Sequence, residues 1–61
     1  MAHFQDLFES SLANKRGLTV FVNGQTVAGY ATRLDEHTVE LRSQQHDRIV
    51  ILRERIDGVA Q

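Results

Sequence analysis

Residues 18–31 read LTVFVNGQTVAGYA, and their pivot is Asn23-Gly24. A two-residue type I′ turn needs positive φ at both central positions, which Asn and Gly tolerate, and runs of β-branched and aromatic residues flank this pair. The stretch predicts a hairpin: a strand over residues 18–22, the turn, and a second strand over residues 25–33. Gly29 falls inside the second strand, where a side chain would ordinarily pack. Such a glycine marks a bulge or a sharp bend, which lets a short sheet curl toward a barrel.

Upstream of the hairpin, Phe4, Leu7, Phe8 and Leu12 form one stripe of helical period and predict a helix over residues 4–16 that packs on the sheet. Asp6 and Glu9 in its first turns, with Lys15 and Arg16 at its end, suit the helix dipole, and Gly17 is placed as its terminating residue. Downstream, Asp35-Glu36-His37 is a polar break. Val39 and Leu41 then alternate with Thr38, Glu40 and Arg42, predicting a half-buried strand over residues 38–42. Residues 43–47 are polar, residues 48–52 form a continuous apolar run with β-branched residues and predict a fourth strand, Arg53-Glu54-Arg55 is a charged break, and residues 56–59 form a short last strand.

The expected fold is therefore mainly β with one N-terminal helix: a five-stranded antiparallel sheet, bent in its second strand, making a small open barrel in a single domain over residues 1–61. An open barrel keeps two unpaired edges. In a domain this small such edges invite another copy, and head-to-tail pairing closes a ring where the rotation permits.

Composition supports that expectation. A chain of 61 residues buries only roughly 60% of the surface its unfolded form exposes, so reinforcement is needed. The absence of Cys removes disulfides and thiolate metal sites, which leaves oligomerisation. A net charge of −1 offers no global footprint for nucleic acid, so an anion site must be made locally. There is no charged segment leading into an apolar one and no apolar run near 18 residues, so the expectation is a cytoplasmic protein without membrane association. His3, His37 and His46 have neither HxxxH nor HxH spacing, so no metal or other cofactor is expected within one subunit. In a ring, one His could still meet its symmetry copies at the axis. Ser10 and Ser11 lie mid-helix, and no nucleophile elbow, Cys nucleophile or Gly-rich phosphate loop occurs, so catalysis is not expected.

The helix start Gln5-Asp6-Leu7-Phe8, the segment Val20-Phe21-Val22-Asn23-Gly24 followed by Gly29, and Leu34-Asp35 before a strand together resemble the Hfq family of bacterial Sm-like (LSm) proteins. The resemblance covers nearly the whole chain, and its departures resemble those of a divergent member. It implies an Sm-like, strongly bent five-stranded antiparallel sheet under an N-terminal helix. It also implies a cyclic homo-oligomer, six subunits by family habit with five or seven as neighbouring closures, that binds single-stranded RNA in post-transcriptional regulation.

On the helix-side face, the family's uridine-rich RNA site maps onto Gln5, onto His37 beside Glu36 in place of a stacking aromatic, and onto Arg53-Glu54 in place of a Lys-His pair. Imidazole keeps a stacking face and Arg53 keeps a cation, whereas Glu54 repeated around a pore repels phosphate unless Arg53 or Arg55 neutralises it. The family's rim site maps onto Asn14, Lys15 and Arg16. Its opposite face, which takes adenines, maps onto Val20, Thr26 and Ala28, and the missing aromatic predicts weak or absent A-rich binding. Two functions follow as expectations. One is a ring that binds short U-rich RNA through one modest contact per subunit, so that avidity replaces affinity. The alternative is a ring acting as a structural or protein-interaction module, in which Arg53-Glu54-Arg55 is a solvated turn or pairs with Asp35 and Asp57 across subunits.

Overall fold

Asn23 and Gly24 have φ of 54° and 78°, the left-handed pair of a type I′ turn, and they join β1 (Leu18–Val22) to β2 (Gln25–Leu34) with Val22 opposite Gln25. The computed structural model describes residues 4–61. Around this hairpin lie α1 (Gln5–Asn14), β3 (Thr38–Arg42), β4 (Ile49–Leu52), a 3₁₀ turn (Arg53–Arg55) and β5 (Ile56–Ala60). The strands form one antiparallel sheet in the order β4-β3-β2-β1-β5. The fold is thus mainly β with one N-terminal helix, as the Sm-like description requires, and the sheet is open, with β4 and β5 as its two edges.

β2 changes partners part-way along its length. Residues 25–29 pair with β1, whereas pairing with β3 begins at Tyr30, opposite Arg42. Gly29 sits at this handover because a Cβ there would lie 2.6 Å from the Arg42 carbonyl oxygen, inside any tolerable contact. The bulge that a strand glycine can signal lies further on, where the register shifts between Ala31 and Arg33. A second shift, between β1 and β5, leaves Asp57 out of register, and its Oδ2 accepts the Asn23 N–H at 3.0 Å.

The core consists of Phe8, Leu18, Val20, Ala31, Val39, Leu41 and Ile51, with Phe4 and Leu7 packed partly against it. Two readings of the helix need correction. Leu12 is 40% exposed, and the fully buried residue beside it is Ser11. The helix also ends at Asn14, so Lys15 and Arg16 lie beyond its last turn, and the left-handed terminating residue is Lys15 (φ 56°) instead of Gly17.

One bond pair accounts for both. The Ser11 hydroxyl donates to the Arg16 carbonyl at 2.6 Å and accepts the Ala31 N–H at 2.8 Å. Leu18 faces Gly29, so one further rung of that ladder would set Arg16 opposite Ala31. The hydroxyl is inserted into that rung, and the chain must turn early, at Lys15, to bring Arg16 there.

Candidate functional site

Arg53 is the hub of the helix-side face. Its backbone N–H bonds the His37 carbonyl at 2.8 Å, which ties the 3₁₀ turn to the β2–β3 turn. Its guanidinium donates to the Asp35 carbonyl at 2.9 Å and to Gln5 Oε1 at 2.7 Å, and lies 5.8 Å from the centroid of the Phe8 ring. Gln5 in turn donates from Nε2 to Glu9 at 2.7 Å. Three distant segments thus converge: the first turn of α1, the β2–β3 turn and the start of the 3₁₀ turn.

The β2–β3 turn is shaped by Asp35. Its Oδ1 accepts the N–H groups of His37 (3.2 Å) and Thr38 (3.0 Å) and the Thr38 hydroxyl (2.9 Å), an Asx turn closed by the Asp35 N–H on the Thr38 carbonyl. These bonds, the Thr38 N–H first, hold the exposed Asp35 carboxyl below the usual carboxylate range, with a smaller contribution from the Arg33 guanidinium 3.9 Å away.

Between helix and turn lies an open depression of about 450 Å³ lined by Gln5, Glu9, Leu12, Leu34, Asp35, Glu36 and Arg53. Of the residues the sequence assigns to the helix-side site, Gln5, Glu36 and Arg53 meet here. His37 is exposed at the adjacent turn, and Glu54 is exposed in the 3₁₀ turn, outside the lining. The depression is richer in acid than the sequence suggested, with three carboxylates around one guanidinium. Its Leu12 and Leu34 lining, and the Asx turn that presents the Asp35 carbonyl, do not follow from the sequence reading. The Asx turn leaves a local signal, Asp35 three residues before Thr38.

Asn14, the last residue of α1, and Lys15 and Arg16 just past it are all exposed. On the opposite face Val20 is 0% exposed and belongs to the core, so it is no surface position. The neighbouring Phe21 projects outward instead, 41% exposed against Gly58, with Thr26 opposite it on β2 and Ala28 also exposed. Within one chain Arg53 meets the carbonyl of Asp35 and not its carboxylate, while Asp57 is engaged by Asn23.

Among the described residues, no group of three or more His, Cys, Asp or Glu side chains is placed to hold a metal ion, and no helix is long and apolar enough to cross a membrane. His3 lies outside the described residues. No protein-family model matches this chain and no curated protein is significantly similar to it, so its functional reading rests on the geometry of this depression and of the sheet edges.

Proposed function

We propose that this chain is a divergent Sm-like subunit of a cyclic homo-oligomer, six copies or a neighbouring number, that binds short single-stranded, uridine-rich RNA. The binding face is the one carrying α1, and the setting is RNA-based regulation in the cytoplasm. The observation that carries this reading is the convergence of Gln5 and Arg53, 48 residues apart, at 2.7 Å beside the His37 turn. An amide, a guanidinium and an exposed imidazole supply donors and a stacking face for an unpaired base, repeated once per subunit. The ring reading is supported by the open edges of β4 and β5 and by Val50 and Leu52, 51% and 44% exposed on β4.

A second reading, the ring as a structural or protein-interaction module, is favoured by one observation. The Arg53 guanidinium is already bonded to Gln5 and to Asp35, and Glu9, Asp35 and Glu36 line the same depression, so a phosphate backbone meets net negative charge there. Titration with short U-rich and A-rich oligonucleotides separates the two. Under the RNA reading, U-rich binding falls steeply with salt and is lost in His37→Ala and in Arg53→Ala, because released counterions drive it. An intact ring that leaves the U-rich oligonucleotide unbound at low salt ends the RNA reading.

A further inference from the structure

A two-residue hairpin alternates the bonding direction of its strands, so with Val22 and Gln25 flanking the turn, residues 25, 27 and 29 bond β1. Thr26 and Ala28 therefore turn their N–H and C=O groups to the other side of β2. β3 covers that side only from Tyr30 onward. Continued in the same register, β3 would set Gln44 opposite Ala28 and His46 opposite Thr26. The chain folds away instead: the Ser43 N–H donates to the His46 carbonyl at 2.9 Å, and the Ser43 hydroxyl accepts the N–H groups of Gln45 and His46 at 3.2 and 3.1 Å.

Where β3 leaves, two adjoining depressions of about 450 and 650 Å³ open along this uncovered length of β2, both lined by Thr26 and Ala28. Their walls carry Tyr30, Arg42, His46 and Arg48, and no carboxylate lines either one. Arg48 is paired at 2.9 Å with Glu40, and Arg42 Nε makes a long 3.5 Å bond to the Asp47 carbonyl. None of these residues belongs to the Gln5–Arg53 depression.

We propose that this notch binds an extended acidic peptide, added antiparallel to residues 26–28 in the place that β3 vacates. Thr26 and Ala28 offer donor and acceptor in alternation, about 7 Å apart, which is the repeat of a partner strand. The phosphate groups of a nucleic acid carry acceptors alone and cannot serve the carbonyls of Thr26 and Ala28, whereas every second residue of an extended peptide brings an N–H and a C=O together to one edge. Arg42, His46 and Arg48 favour carboxylates on the incoming segment, by charge complementarity.

The test uses the intact, isotope-labelled protein and the peptide acetyl-Glu-Val-Glu-Val-Glu-amide. Saturation slows amide exchange at Thr26 and Ala28, leaves Gln5 and Arg53 resonances unmoved, and changes the emission of Tyr30, the single tyrosine in a chain without tryptophan. Arg42→Glu, at an exposed strand end, weakens binding about tenfold. Ala28→Pro removes the edge donor without touching the β1 ladder and abolishes protection at Thr26. The proposal is overturned if neither amide slows at millimolar peptide, or if the lysine counterpart of the peptide binds equally. It is also overturned if a hexauridylate or hexaadenylate protects these amides and the peptide does not, or if protection is present without peptide and grows with protein concentration, which would make a second copy the occupant.

Discussion

Ser11 is the one polar side chain buried completely among the described residues, and it completes a ladder rung that neither strand could make alone. Truncating it leaves the buried Ala31 N–H and the part-buried Arg16 carbonyl without that partner. Ser11→Ala is therefore expected to destabilise the fold by about 1–3 kcal/mol, read from the urea midpoint at unchanged slope. Nothing local announced this role: the partners lie five and twenty residues away, and a serine after Ser10 in a polar stretch reads as solvated helix surface. Asp35 was more legible, because its acceptor role is satisfied within three residues. Its lowered pKa gives a definite sign. The stabilisation is complete above the unfolded value of about 3.9 and is lost as pH falls through the lower folded value. Asp35→Asn should be less stable than the parent at neutral pH, and the difference should shrink on acidification below about pH 4, followed by denaturation at each pH.

Among elements, the hairpin and β3 were legible almost to the residue, because Asn-Gly chemistry and period-two alternation are local signals. β4 begins one residue later than the sequence suggested, at Ile49, while β2 and β5 each run one residue further, to Leu34 and Ala60. The handover in β2 was marked in the sequence by a glycine, but its cause was not. Gly29 has no positive φ to accommodate; it is needed because the Arg42 carbonyl of another strand comes close. Gly29→Ala should thus force β2 and β3 apart at the handover and cost about 1–3 kcal/mol, as overpacking does, with exchange rising first at Tyr30 and Arg42. The placement of the site followed the same division. Gln5 and Arg53 were assigned by resemblance, whereas the approach of the Arg53 guanidinium to the Asp35 carbonyl, across 18 residues, is a matter of tertiary packing. The helix end went wrong for that reason too: a left-handed Lys15 is disfavoured locally and is imposed by the Ser11 tie.

For the whole molecule, the apolar core among the described residues is seven side chains, and the most exposed of the large apolar groups, Val50 and Leu52, lie on an edge strand, with Phe21 beside the other edge. A domain with so little buried surface gains most by covering those edges with its own copies. Native mass spectrometry is expected to find the parent at several times the 6.9 kDa of one chain, and Val50→Asp with Leu52→Asp to shift it toward the single chain. A folded parent that stays monomeric at micromolar concentration would remove the ring from the account. The same measurement with oligonucleotides present reports ring size and RNA stoichiometry together.

The hydroxyl inserted between Arg16 and Ala31 has a consequence for how the molecule opens. Every other rung of β1 and β2 is closed by backbone alone and survives as long as the two strands stay together. The Ala31 N–H is different: it is a mid-strand amide whose cover is a helix. If α1 lifts off while the sheet persists, Ala31 exchanges with the helix and not with its strand neighbours. One resonance would then measure the free energy of undocking the N-terminal helix, separately from the free energy of losing the sheet.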